Sequence, residues 1–224
     1  MQNVPLFKEK NEVRATLGIS NYQAAYAVTD HVGIMINGQY KKPTWSLTTG
    51  GTKYQYESKK TLIEGGAGYF SPIDKSGIVE IYAGGGIGNV SFDRSFSDTL
   101  GGPSTSYNKY SARTTRLFVQ PSFGFSTDII DIAISARFVG LKFSNIDTSG
   151  YSPAVLEEND LSQLDKPFYM FLEPAITFRV GWEYVKFHMQ AMLSYKLNEE
   201  SINAYPFMMN IGLNINIAKR YIKK

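Results

Sequence analysis

Tyr184-Val185-Lys186-Phe187-His188-Met189-Gln190-Ala191-Met192-Leu193-Ser194-Tyr195-Lys196-Leu197 alternates in polarity almost residue by residue. Val185, Phe187, Met189, Ala191, Leu193, Tyr195 and Leu197 fall on one side of an extended chain, and Lys186, His188, Gln190, Met192, Ser194 and Lys196 on the other. Side chains of a strand point to opposite faces in turn, so a period of two means one apolar face and one polar face. A tilted strand crosses the hydrocarbon core of a bilayer in about 9–11 residues, whereas soluble strands usually run to about five or six. This stripe is long enough to cross, and its polar face carries charge in mid-strand.

The same pattern recurs on both sides. In 204–218, Tyr205, Phe207, Met209, Ile211, Leu213, Ile215 and Ile217 oppose Pro206, Met208, Asn210, Gly212, Asn214 and Asn216. In 167–182, Phe168, Met170, Leu172, Pro174, Ile176, Phe178, Val180 and Trp182 oppose Tyr169, Phe171, Glu173, Ala175, Thr177 and Arg179. Extended to the whole chain, the reading gives strands at 5–20, 22–29, 31–42, 54–71, 77–93, 112–127, 131–144, 167–182, 184–197 and 204–218. Short turns at 29–31, 74–77, 128–131 and 181–184 alternate with long connections near 43–53, 94–111, 145–166 and 198–203. Asp, Ser and Gly in the short set are turn chemistry. Strict short-long alternation puts all tight turns at one end of a meander and all long loops at the other. The expected fold is therefore all-β: an antiparallel up-and-down transmembrane β-barrel of ten strands, one domain over 1–224. The first hairpin tests that count, because one continuous strand over 5–29 would make it odd, which is unusual for a single-chain bacterial barrel.

Composition agrees with this class. The 224 residues include 14% aromatics, 20 Gly and no Cys, with a net charge of +3. Without Cys there is no disulfide framework, thiolate metal site or thiol nucleophile, and +3 is too little charge to argue for nucleic acid. Mean hydropathy is −0.21, which a membrane barrel tolerates because its apolar surface is hidden in alternation. No apolar run reaches the length of a membrane helix. The start, MQNVPLFKEKNE, has no hydrophobic signal core; a cytosolic protein and a mature exported domain both fit that start, and the strands favour the second.

By parity, one face collects Glu12, Arg14, Glu64, Glu80, Arg116, Glu173, Arg179, Lys186 and His188, and Arg137 joins them although its strand has mixed parity from Val139 onward. In a narrow lumen these groups have to pair, because a lone buried charge is costly. The expectation is a polar, ion-paired interior in which Glu64, Glu80 and Glu173 meet some of Arg14, Arg116, Arg137 and Arg179. Glycines at 65, 66, 68, 84, 85, 86 and 88 leave room for long side chains there. The alternative is a soluble lipocalin-like barrel or sandwich, with the apolar faces turned inward around an apolar ligand.

No constellation for catalysis stands out. The two histidines are His31, on a short turn, and His188, on the polar face; Ser194 lies six residues beyond His188, roughly 20 Å along a strand and out of hydrogen-bond reach. Two isolated histidines do not make a metal site. The acids Glu157, Glu158, Asp160 and Asp165 read as solvated loop residues, with weak calcium binding as the alternative. Gly84-Gly85-Gly86-Ile87-Gly88 precedes no helix and is not a phosphate loop. No enzyme, metal or cofactor is expected.

The stretches Asn3-Val4-Pro5-Leu6-Phe7-Lys8-Glu9-Lys10-Asn11-Glu12 and Gln23-Ala24-Ala25-Tyr26-Ala27-Val28-Thr29-Asp30-His31-Val32-Gly33 resemble the start of small outer-membrane β-barrel proteins of Bacteroidota bacteria. In that group the second stretch closes an early hairpin at the periplasmic turn. Some members resemble lipoproteins whose lipidated Cys lies just upstream of the first. The C-terminal Gly212-Leu213-Asn214-Ile215-Asn216-Ile217 resembles a strand read by the barrel-assembly machinery, though the chain then ends in Lys219-Arg220-Tyr221-Ile222-Lys223-Lys224 instead of an aromatic. The resemblance implies location and fold more than activity. The expected role is that of a structural or interaction component of the cell envelope, set in outer-membrane lipid. Phe96, Tyr107, Tyr110 and Tyr151 on the long loops are candidates to meet another envelope protein or a surface glycan. A narrow transport pore is the alternative.

Overall fold

The computed structural model describes residues 1–98, 106–151, 164–165, 168–198 and 206–222, with backbone alone at 96–98, 106–107 and 222. In chain order the strands are β1 (Val13–Gly18), β2 (Asn21–Ala27), β3 (Val32–Lys41), β4 (Thr44–Thr49), β5 (Thr52–Ile73), β6 (Gly77–Asp98), β7 (Ser106–Ser126), β8 (Ile130–Asp147), β9 (Tyr169–Gly181), β10 (Val185–Leu193), β11 (Tyr195–Lys196) and β12 (Phe207–Ile217). A short helix α1 (Lys219–Ile222) follows. Every pairing is antiparallel, and β12 closes on β1 through Val13↔Ile217 to Gly18↔Gly212. Ten strands form the closed wall, β1-β2-β3-β5-β6-β7-β8-β9-β10-β12. The two others prolong it: β4 folds back on β5, and β11 continues along β9.

The first hairpin exists and turns at Ile19-Ser20, so the count is even. What precedes it corrects the expected strand over 5–20. Only Val13–Gly18 is strand; residues 1–7 run inside the barrel and are buried. Leu6 and Asn11 take φ of 57° and 66°, left-handed values that no strand sustains.

The long connections are also shorter than expected. Residues 43–53 form a hairpin, Thr44↔Glu57 to Thr49↔Thr52, turning through the positive-φ pair Gly50 and Gly51. Much of 94–111 is strand, since β6 and β7 stay paired out to Phe96↔Ser106. β5 and β6 have 22 residues each, about twice the crossing length of a tilted strand. Beyond the barrel proper they carry a tall ribbon opposite the short turns. Trp45 stacks on Tyr56 there at 4.0 Å, and the Arg94 guanidinium lies 5.4 Å from both the Tyr54 and Tyr56 rings.

The faces sort by parity. Ile34, Ile36, Ile63, Ile81, Leu117, Ile134, Ile176, Phe187, Leu193, Phe207, Ile211 and Leu213 are exposed on the outside. Tyr69, Phe125 and Trp182 edge this apolar band toward the short turns, and Tyr40, Phe168 and Phe207 toward the other end. The inside holds the charges together with Tyr82, Phe118, Gln120 and Gln190. The inward-turned apolar faces of a soluble lipocalin-like barrel are thus not what the chain adopts. Glycine makes room for the filling at one crowded point: a Cβ on Gly33 would lie 2.6 Å from Tyr82 Oη and 2.9 Å from the Phe7 ring. Gly66 and Gly84 likewise flank Phe118, whereas Gly65 and Gly85 face outward.

Candidate functional site: the plugged lumen

The N-terminal segment enters from the short-turn end and climbs to mid-height. An extended segment away from water must find partners for its backbone groups, and the wall supplies them from side chains. Gln190 Oε1 accepts from Gln2 N at 2.9 Å, while Gln190 Nε2 and Gln23 Nε2 donate to Gln2 O at 2.9 and 3.0 Å. Gln120 Nε2 donates to Asn3 O at 2.7 Å, and Arg179 Nη2 to Val4 O at 2.7 Å. Glu80 Oε1 accepts from Phe7 N at 3.2 Å. Lys8 Nζ reaches Ser126 O and, at 3.1 Å, Lys75 O at the rim. Apolar side chains of the segment fill the remaining gaps: Val4 and Leu6 against Ile78 and Ala133, and Phe7 against Phe70 at 5.4 Å between ring centres.

Two ion clusters surround the plug. The lower one centres on Asp131, which accepts from Lys186 Nζ at 2.6 Å and Arg14 Nη1 at 3.0 Å, with Arg179 Nη1 at 3.6 Å. Arg14 also holds Glu12 at 2.8 Å. Arg220 on α1 closes this end: Nη1 and Nη2 donate to the two Glu12 oxygens at 2.9 Å each, and its backbone N–H donates to Glu9 at 3.0 Å. Burial raises the Glu12 pKa, but Arg14 and Arg220 outweigh it and hold the carboxyl below its usual range. The upper cluster is Arg137 to Glu64 at 3.1 Å, Arg116 to Glu64 at 3.6 Å, and Arg116 to Glu173 at 3.1 Å. Gln120 Oε1 accepts from Arg137 Nε and Nη2, and the Arg137 guanidinium lies 4.3 Å over the Phe118 ring.

Arg14, Glu64, Arg116, Arg137, Glu173, Arg179 and Lys186 therefore each join one of the two clusters. Glu80 does not: among the described residues it meets the Phe7 N–H and Ser122 Oγ rather than an arginine. His188 is sealed in the wall, with Nδ1 at 3.2 Å from Arg179 Nε. Parity did not bring in Asp131, Gln2, Gln120 or Arg220. Asp131 stands where the 128–131 turn meets the 131–144 strand in the sequence; in β8 it shares parity with Ser135 and Arg137 and pairs with Ser126 of β7. His31 stays at its turn, near Phe70 O at 3.2 Å.

The loop candidates divide. Tyr110 is not on a loop: it belongs to β7, and its ring packs against the luminal cluster of Phe118, Phe143 and Phe171. Phe96 and Tyr107 sit within β6 and β7 near the open end, with backbone alone described. Tyr151 is half-buried, and its N–H donates to Thr148 O at 3.2 Å. Glu157, Glu158 and Asp160 lie outside the described residues. Among the described residues no group of three or more His, Cys, Asp or Glu side chains converges as a metal site.

No protein-family model matches the chain, and no curated protein matches it in sequence. Solved structures do. The outer membrane protease OmpT from Escherichia coli aligns over 92% of this chain and 92% of its own, with a TM-score of 0.55 at 8% identity. Two Acinetobacter baumannii proteins, CarO2 and CarO, align over 92% of this chain and 97% and 96% of theirs, with TM-scores of 0.36 and 0.32 and identities of 11% and 10%. At such identity the OmpT likeness speaks for architecture alone: the chain has the closed antiparallel barrel fold of an outer-membrane protein.

Proposed function

We propose that this chain sits in a bacterial outer membrane as a barrel closed to solute flow, serving the envelope as a non-enzymatic structural or interaction component. The observation that carries the proposal is the N-terminal segment lodged in the lumen. Three wall glutamines, an arginine and a glutamate satisfy its backbone. A ten-stranded barrel has little free bore once side chains fill it, and this one also holds a strand's length of its own chain. The outward apolar band, edged with aromatic residues, is suited to lipid. On this reading the short turns are periplasmic and the tall β4–β7 ribbon is extracellular. Its Trp45–Tyr56–Arg94 stack, with the upper β6–β7 ladder beside it, is the surface for another envelope protein or a surface glycan. His188, sealed beside Arg179, is out of reach of a substrate, which argues against hydrolysis.

The test is single-channel recording in planar bilayers. The intact chain is expected to give no conductance steps, and a variant lacking residues 1–7 is expected to give small ones. Stable conductance by the intact chain would refute the closed-barrel proposal and favour the pore.

A further inference from the structure

Above the plug the lumen widens toward the long-loop end into a cavity of about 490 Å³. The β3–β5 ladder sets Lys41 directly opposite Lys60, and both line this space. Like charges directly opposite on paired strands destabilise the pair. Among the described residues no carboxylate forms an ion pair with Lys41 or Lys60: Glu64 and Glu173 act on Lys60 only from a distance, each engaged by Arg116, and the nearby acid Glu57 is held by Lys42 at 3.1 Å. Arg116 adds a third cation, with its charge already engaged by Glu64 and Glu173. The wall across the lumen, from β8 and β9, presents Leu141, Phe143 and Phe171, with Glu173 next along β9 and bonded to Arg116 at 3.1 Å. A cationic pair therefore faces an aromatic and aliphatic wall across a space of ordinary ligand size.

We propose that this vestibule binds a single-chain anionic amphiphile, with its carboxylate or phosphate head between Lys41 and Lys60 and its tail along Leu141, Phe143 and Phe171. The anion relieves the like-charge pair, and the tail lies along the apolar side of the cavity. The plug forms the floor, so the ligand enters and leaves by the same end. The inference requires the lumen to be closed below but is independent of any protein partner.

The test is calorimetric titration of the chain in zwitterionic nanodiscs with laurate, dodecyl phosphate and dodecyltrimethylammonium, with empty nanodiscs subtracted. Laurate or dodecyl phosphate should saturate at one per chain, and the tighter of the two identifies the head; either ranking supports the proposal. The cationic amphiphile should show no saturable site. The double variant K41Q/K60Q should weaken anion binding by about tenfold, the scale of a lost charge-assisted contact. K59Q is the control: Lys59 is the next residue of β5 and points out of the barrel. Heat-modifiable migration on gels verifies that each variant is folded, and L141N, which alters only the tail wall, should weaken laurate while leaving the lysines in place. Absence of saturation by either anion, equal binding of the cation, or equal weakening in K59Q and K41Q/K60Q would overturn the proposal.

Discussion

Asp131→Asn removes the anion at the centre of the lower cluster while nearly conserving shape. Asp131 is fully buried and holds Lys186 at 2.6 Å, Arg14 at 3.0 Å and Arg179 at 3.6 Å. After the substitution Lys186 keeps Thr127 O at 2.6 Å and Arg179 keeps Val4 O at 2.7 Å, but these carbonyls carry no net charge. Only Glu12, bonded to Arg14, still neutralises any of the three. Counting those three cations against Glu12 and Asp131, the net charge rises from +1 to +2 in a closed space. Breaking a buried ion pair from one side costs about 3–5 kcal/mol; because Asn retains one acceptor, about 3 kcal/mol is expected. Adding Lys186→Met should recover about half of it, since it removes one of the uncompensated cations. Urea unfolding from phospholipid vesicles, followed by the fluorescence of Trp45 and Trp182, gives the free energies by linear extrapolation. Asp147→Asn is the comparison: its exposed pair with Lys109 at 3.2 Å is worth about 0–1 kcal/mol. If Asp131→Asn costs no more than Asp147→Asn, or if Lys186→Met makes matters worse, the lower lumen is wet and screened and the reasoning fails.

Parity made the wall legible because a strand between lipid and a polar interior must alternate. Val185 to Leu193 does so at every position of β10 except Met192, which faces inward with the polar set. The same rule hid the plug. Val4, Leu6 and Phe7 are as apolar as strand residues, and nothing in polarity separates an apolar side chain that faces lipid from one that packs inside against Ile78 or Phe70. Two local signs were present: Pro5, which lacks the N–H a strand interior needs, and the adjacent pair Leu6-Phe7, which breaks the period of two. The stretch 94–111 misled in the opposite sense. Its serines and aspartates lack a continuous apolar face, yet β6 runs on to Asp98 and β7 starts at Ser106, because at this end only the backbone ladder is required. Asp131 is hard to read because acids near turns are usually solvated, although counting back from Arg137 by twos puts it inside. The like-charge pair Lys41 and Lys60 depends on register, which only the hairpin's actual turn position fixes.

Two further outcomes test the outer surface and the short-turn end. Ile134→Arg, on the exposed outer face of β8, should cost about 2–4 kcal/mol in vesicles if it lies at the bilayer midplane; a neutral result in the same urea assay would show that the band does not face lipid. The second concerns acid. Glu12 is clamped by Arg14 and Arg220, and its carboxyl titrates below its usual range in the folded chain. A lowered folded pKa contributes stability that is complete above the unfolded value and is lost as pH falls through the folded one. Wild type should therefore lose stability below about pH 4.3, the ordinary glutamate value, faster than Glu12→Gln does. The variant is weaker at neutral pH, where it lacks the clamp, and the two stabilities should approach each other as the pH falls through the lowered folded pKa. The other carboxylates are common to both chains, so the narrowing gap reports Glu12. A gap that stays constant across this range would mean that protonating Glu12 costs the fold nothing, and the α1 clamp would then be a contact without energetic consequence.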